Sequence, residues 1–332
     1  MPSSRRPASA HIPRDQPRVV VIAGGVGAAR FLAGLVRALP PASVTAIVNT
    51  GDDVDLHGLH VSPDVDSVVY RLAGIADDER GWGLADETWR ALDMLGRYGA
   101  DTWFQLGDAD LATHVWRTSR VRRGVPLSRV TAEQCAALGV EARILPMTDE
   151  RVTTRVRCSE LGELHLQEWF VRERCQPVVE AVRFDGVDRA RPAPGVLEAI
   201  ADADAAIIAP SNPIISVGPV LAVPGLRDAL RAVPQGIAVT PIVAGRAVKG
   251  PAAELLRAAG VEVSATGVAG LYADCVQTMV VDERDTNLAG AITDLGLRPV
   301  LTDTLMPDVD AATRLARVTL NAVGIGPVGA AA

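Results

Sequence analysis

The stretch that decides the fold is Val19-Val20-Val21-Ile22-Ala23-Gly24-Gly25-Val26-Gly27-Ala28-Ala29-Arg30. An apolar, β-branched run ends in a glycine cluster, and a helix-forming segment follows at once. Arg18–Ala23 reads as a strand buried on both faces and Ala28–Leu39 as the helix after it. Gly24, Gly25 and Gly27 let the chain turn tightly and bring its backbone close to a ligand. The helix start then presents free N–H groups and the positive end of its dipole, which suits a phosphate. A dinucleotide fingerprint would need a third glycine where this chain has Arg30. A P-loop would need a Gly-Lys-Ser/Thr, and none follows.

The same rhythm extends in both directions. Val44–Asn49 is a second strand and Val65–Leu72 a short helix. Later, Ala205–Ala209, Ile237–Val243, Val261–Ser264, Met279–Asp282 and Val300–Thr302 read as strands, and Asp308–Val323 as a closing helix. Alternation of this kind implies a parallel sheet with helices on both faces. The interval breaks the rhythm. Asp86–Tyr98 and Asp110–Arg122 read as helices, and Arg143–Pro146, Val152–Cys158 and Leu164–Val171 as strands of a smaller sheet. The expected fold is therefore α/β: a Rossmann-like parallel core (18–75 and 196–325) split by an insertion (76–195). That insertion is mostly helical, with a small additional sheet. Residues 1–17, rich in Arg, Pro and Ser, read as a disordered tail.

Composition narrows the class. Hydrophobic residues make up 48% of 332, enough for a sizeable core, and with only 4% aromatics that core must be aliphatic. The net charge of −7 argues against a nucleic-acid partner. Cys135, Cys158, Cys175 and Cys275 show no metal or disulfide spacing and read as reduced thiols of a cytoplasmic protein. The apolar run after the basic start is too short for a signal peptide, and nothing approaches the roughly 20 apolar residues of a membrane span.

Chemistry concentrates in aspartates. Asn49-Thr50-Gly51-Asp52-Asp53 ends the second strand, and Ser62-Pro63-Asp64-Val65-Asp66-Ser67 opens the next helix. Ser62 suits the N-cap and Pro63 the first helical position. Both segments belong at the carboxyl edge of the sheet, beside the glycine loop. A nicotinamide cofactor would occupy one acid on a ribose hydroxyl, and Asp52 fits that spacing, but four carboxylates exceed the need. Clustered carboxylates repel unless a cation neutralises them, as Mg²⁺ bridging a diphosphate does. Val65, Val68, Val69 and Leu72 form the buried stripe. Asp64 and Asp66 flank it on opposite sides, so one of the two, and the pattern does not say which, serves a metal.

Other candidates are spread along the chain. Pro210-Ser211-Asn212-Pro213 and Ser216-Val217-Gly218-Pro219 follow a strand with small polar groups suited to phosphate or base recognition. Lys249, the sole lysine, follows a strand and suits a phosphate as a point charge. Trp82 and Trp89 offer flat surfaces for an aromatic substrate. Gly107, Asp108 and His114 lie in a loop-to-helix segment nearby. Arg117, Arg120, Arg122 and Arg123 read as a solvated helix face.

Taken in order, Ala23–Phe31, Asn49–Asp53, Ser62–Asp66, Gly81–Gly83, Leu106–His114, Pro210–Pro219, Lys249–Ala252 and Asp303–Met306 resemble one family, the 2-phospho-L-lactate transferases of deazaflavin coenzyme F(420) biosynthesis. The matches span Val19 to Val323. The resemblance implies a guanosine diphosphate donor carrying a lactyl or enolpyruvyl group. It implies 7,8-didemethyl-8-hydroxy-5-deazariboflavin as acceptor, Mg²⁺ as cofactor, release of GMP, and a homodimer that the sequence pattern does not test. On this reading the glycine loop, Ser211 and Asn212 hold the nucleotide, with Ser216, Gly218 and Lys249 beside them. Asp52 and Asp66 hold the metal, Asp53 or Asp64 orients or deprotonates the acceptor hydroxyl, and Trp82, Gly107, Asp108 and His114 cradle the deazaflavin. Two positions depart from the family: Ala28 stands where Gly is frequent, and Ala109 where a basic residue is common. The alternative is a non-catalytic nucleotide or nucleotide-sugar sensor similar to bacterial gluconeogenesis factors, which need not possess the acceptor segments.

Overall fold

A computed structural model describes residues 16–326. The expected disordered tail (1–17) therefore lies almost wholly outside the described residues. The strands are β1 (Val19–Ala23), β2 (Val44–Val48), β3 (Val54–Leu56), β4 (Leu59–Val61), β5 (Arg143–Pro146), β6 (Thr153–Cys158), β7 (Gly162–His165), β8 (Val179–Asp185), β9 (Ala205–Ile208), β10 (Gly236–Val239), β11 (Ile242–Val243), β12 (Arg246–Ala247), β13 (Thr278–Asp282) and β14 (Arg298–Thr302). Seven of them form a parallel sheet in the order β14-β13-β10-β9-β1-β2-β5. The first strand sits near the middle because its five residues are all buried and only a central strand buries both faces. Its side chains alternate between two cores. Val20 and Ile22 join the layer on one face, and Val19, Val21 and Ala23 the layer on the other.

The strand order reverses between β1 and β9, and ligands of open α/β sheets bind beyond the strand ends at such a point. Helix α1 (Gly25–Ala38) leaves β1 there, and α2 (Pro63–Leu72) packs beside it. Gly25 adopts φ +70°, a left-handed conformation that glycine accepts without strain. The insertion supplies α3 (Arg90–Arg97), α4 (Asp108–Val121) and α5 (Leu127–Ala137), and a small antiparallel sheet β7-β6-β8.

Five expectations change. The strand expected over Ile237–Val243 ends at Val239, and Ile242–Val243 pairs antiparallel with β12 outside the main sheet. Arg143–Pro146 pairs in parallel with β2 at the edge of the main sheet, so the span 76–195 is no separate body. Four residues with a buried apolar centre carry no mark of which sheet they join. Val261–Ser264 is an irregular link, since the Ser264 hydroxyl accepts from Gly267 N–H at 3.0 Å and caps the helix Ala265–Tyr272. The strand expected over Leu164–Val171 stops at His165, where Glu168–Arg172 coils into a short helical turn. The helix expected from Asp86 starts at Arg90.

The closing helix Val309–Ala322 lies along α1, and Gly34 is the close point: a Cβ there would overlap the Ala312 peptide. Gly34→Ala should therefore destabilise by about 1–3 kcal/mol through overpacking. Urea denaturation should show a lowered midpoint with unchanged slope; an unchanged midpoint would mean the two helices separate without cost.

Candidate active site

The site assembles at the carboxyl ends of β1, β2 and β9. Asn49 follows β2 and is fully buried. Its amide nitrogen donates to Asp64 Oδ2 at 2.8 Å, to Asp52 Oδ1 at 3.2 Å and to the Ile215 carbonyl at 3.3 Å. Its oxygen accepts from Gly51 N–H at 2.8 Å, which shapes the loop. One side chain thus clamps two buried carboxylates. Asp52 takes a second donor, Gln167 Nε2 at 3.1 Å, from the segment after β7.

Asp64 stands against the glycine loop. A Cβ on Gly24 would lie 2.6 Å from Asp64 Oδ2 and 2.8 Å from Ser216 Cβ, so only glycine permits the approach. Gly27 serves a similar end against the Pro210 carbonyl. Burial pushes the Asp64 carboxyl up to about 7, against the lowering effects of the Asn49 amide and the Gly25 N–H, with Asp53 repulsion adding to the rise. Asp52 is raised as well, by burial first and then by the charges of Asp64 and Asp53. Two acids that resist ionisation side by side would be eased by a bound cation, which would remove both penalties.

Asp53 belongs to a different arrangement. Its Oδ2 lies 2.7 Å from His60 Nε2 and its Oδ1 accepts from Ser62 Oγ at 2.6 Å. Ser62 does occupy the N-cap of α2, with Pro63 at the first helical position, but its hydroxyl is given to Asp53 rather than to the helix. His165 holds the same loop by its Nε2, 3.1 Å from the Asp53 carbonyl, and burial lowers its basicity. Beside Asp53 lies a cavity of about 290 Å³, lined by Thr50, His60, Arg122, Asp149 and Arg151 among others. The hydroxyls of Thr50, Thr154 and Ser211 are buried without partners. Natural folds rarely leave buried hydroxyls unanswered; Thr50 follows β2, Ser211 follows β9, and Thr154 stands against Gly51 of the aspartate loop.

Asp66 is held elsewhere. It points to α4, where Arg117 Nη1 donates to Oδ2 at 2.9 Å and Nη2 pairs with Oδ1. Gln134 Nε2 adds a bond of 3.1 Å from α5. Positions 64 and 66 lie roughly 200° apart around a helix, so one side chain faces the glycine loop and the other the insertion. Arg117 holds the Asp66 carboxyl below its usual range despite burial. Arg117 itself is fully buried, not part of a solvated face as expected. The pair welds the insertion to the core helix.

A sequence model described as 2-phospho-L-lactate transferase CofD matches residues 19–316. The chain belongs to the CofD family. Similar proteins include phosphoenolpyruvate transferases from Kitasatospora aureofaciens and Streptomyces griseus, each 44% identical over 310 residues, covering 91% of this chain and 97% of the relative. The phosphoenolpyruvate transferase of Mycolicibacterium smegmatis is 39% identical over 324 residues, covering 93% of this chain and 99% of the relative. Among solved structures, protein BH3568 from Bacillus halodurans superposes with a TM-score of 0.61 at 18% identity, covering 92% of this chain and all of that one, which shows a shared fold.

Within this CofD-family chain, the fold brings Gly24, Gly25, Asp52, Asp64 and Ser216 together, with Asp53 on the same loop and Gly27 and Ser211 at the adjoining turn. Asn212 spends its side-chain oxygen on the N–H groups of Ile214 and Ile215, fixing the turn. Gly218 faces Phe184, 3.2 Å from where its Cβ would be, and not the aspartates. His114 is buried between Arg117 and Asp110, inside the weld. Gly107 and Asp108 have a structural task. Glu87 accepts from the N–H groups of Ala109 and Asp110 at the start of α4, while Asp108 accepts from Arg90 and Ala91 at the start of α3. Each helix thereby caps the other. Gly107 must lack a Cβ because Glu87 passes over it. Trp82 remains 40% exposed, 6.2 Å from Trp89 between ring centroids, and the Arg80 guanidinium lies 5.2 Å from both rings. Sequence reasoning missed Asn49, Gln167, His60 and Arg117. Only Asn49 carried a signal, its place at the end of a buried strand.

Arg117→Met leaves Asp66 buried and unpaired, which should cost about 3–5 kcal/mol. Arg117→Met combined with Asp66→Asn should recover much of that loss in chemical denaturation. A double variant no better than the single one would show that the pair is not what holds α4 to α2.

Proposed function

We propose that the chain transfers a phospho-lactyl or phosphoenolpyruvyl group from a guanosine diphosphate donor to the terminal ribityl hydroxyl of 7,8-didemethyl-8-hydroxy-5-deazariboflavin, a step of coenzyme F(420) biosynthesis. The observation that carries this reading is the Asn49 clamp, which presents Asp52 and Asp64 to the glycine loop. The family membership supports the transfer chemistry, and the names of the similar proteins favour the enolpyruvyl group.

The residues divide the work. The free N–H groups at the start of α1, with Ser211 and Ser216, receive the diphosphate. Asp52 and Asp64 are the proposed holders of Mg²⁺, in place of Asp66, whose charge the buried Arg117 already neutralises. Among the described residues no group of three or more His, Cys, Asp or Glu side chains is arranged as a metal site. Two carboxylates still fit Mg²⁺, which is commonly held by one or two carboxylates together with substrate phosphates and water. When bound, the ion supplies positive charge against the charge that develops in phosphoryl transfer. Asp53 accepts the hydrogen bond of the acceptor hydroxyl and takes its proton, with His60 and Ser62 fixing its direction. The hydroxyl oxygen forms a bond to the distal phosphorus, the bond from that phosphorus to the bridging oxygen breaks, and GMP departs with the electron pair. The exposed Trp82 face, stiffened by Arg80 and Trp89, stacks the deazaflavin.

Asp52→Asn and Asp64→Asn should each lower turnover on the order of a hundred-fold or more, the several kcal/mol that a metal supplies. Both should also abolish the Mg²⁺ dependence of GDP binding, followed by titration calorimetry. Asp66→Asn should lower stability while leaving that dependence intact, and the opposite pattern would return the metal to Asp66. Trp82→Ala should weaken deazaflavin binding, read by its fluorescence, while GDP affinity stays unchanged; equal loss of both would mark a purely structural tryptophan.

A further inference from the structure

Lys249 is the single lysine of the chain. It follows the β11–β12 hairpin, is exposed, and has no carboxylate partner among the described residues. What surrounds it is positive. Partial desolvation of its ammonium lowers its basicity, and so do the charges of Arg30 and Arg71. Its Nζ lies 2.8 Å from where a Cβ on Gly81 would stand, and an Arg30 nitrogen lies 3.9 Å from the same point. Gly81 has φ +75° and no side chain, so it forms a floor between two cations. Arg30 makes one weak bond, to the Met306 carbonyl at 3.4 Å, and Arg71 is paired with Asp78. Three cations therefore converge with one carboxylate between them. Like charges gathered in this way destabilise one another unless an anion joins them.

The position gives the anion its identity. Arg30 lies on α1 five residues beyond Gly25, roughly 7.5 Å along the helix from the glycine loop that faces the diphosphate. Gly81 is the residue before Trp82, on the side of the acceptor ring. A group passing from one to the other must lie between them, and the transferred three-carbon acid carries a carboxylate in addition to its phosphate. We propose that Lys249, Arg30 and Arg71 form an anion subsite that takes this carboxylate while the phosphate stays with the glycine loop. The subsite rests on the transfer reading above. It reads a charge that lactyl and enolpyruvyl groups share, so it selects for an acid and not between those two.

The lone lysine makes the test direct. Amine acylation with an N-hydroxysuccinimide ester, followed by mass spectrometry of the peptide that contains Lys249, reports this one side chain. Phosphoenolpyruvate should slow its labelling at least about five-fold in the wild-type protein, the scale expected when occupancy exceeds the free fraction several times over. Inorganic phosphate and GDP, which lack the carboxylate, should leave the rate unchanged, and Arg30→Met should abolish the protection. Equal protection by phosphate or GDP would make this a phosphate site and overturn the carboxylate assignment. No protection by phosphoenolpyruvate would overturn the subsite altogether. A second variant guards against misfolding: Lys249→Met, a surface change, should lower kcat/KM for the donor while GDP binding stays unchanged. Labelling requires neither deazaflavin nor turnover. Failure of deazaflavin to bind would sink the transfer reading alone, whereas unprotected labelling with turnover intact would sink the subsite alone.

Discussion

The site depends on one amide. Asn49 donates to both Asp52 and Asp64 in a place that water does not reach. Two buried acids side by side are costly, and burial raises both of them. The amide offsets part of this by giving each carboxylate a donor, and Gln167 adds another to Asp52. The pair lies at the point where the strand order reverses, which is where an α/β sheet exposes its loops to a ligand. The glycines at 24 and 27 are required by the same close packing, since side chains there would displace Asp64 or the Pro210 loop.

A buried ion pair fixes the insertion to this centre, beside apolar contacts such as Leu84 and Cys135 in the core under α1 and α2. Arg117 and Asp66 form a fully buried pair between α4 and α2, with Gln134 and His114 around them. Buried pairs contribute little net stability but are expensive to break, so they specify a geometry more than they strengthen it. Here the geometry matters because Arg117 also reaches the His60 carbonyl at 3.5 Å, and the ring of His60 orients Asp53. The reciprocal capping of α3 and α4 by Asp108 and Glu87 extends the same rigidity towards Trp82 and Trp89. The segment that carries Trp82 and Trp89 is thus braced by both helices.

Much of this was legible beforehand. The β-branched run into glycines marks β1 and α1, because a strand buried on both faces leaves a continuous apolar record. Pro63 marks the start of α2, because its fixed φ suits the first helical position, whereas the Ser62 hydroxyl serves Asp53. The illegible parts share a cause. Whether Arg143–Pro146 joins the main sheet or the small one depends on a partner about 100 residues away in sequence. That Asp108 caps α3 was not legible either, because a polar residue at a helix start serves caps and ligands equally well.

The sequence by itself determined the parallel α/β core, the glycine loop after the first strand and the set of aspartates, because periodicity, glycine and capping are local properties. Only the tertiary structure decided which of Asp64 and Asp66 meets the glycine loop. Both flank the same buried stripe, and which flank meets the glycine loop depends on how α2 is rotated against α1 and α4. That rotation is settled by packing and by the Arg117 pair, contacts between segments some fifty residues apart that no local pattern encodes.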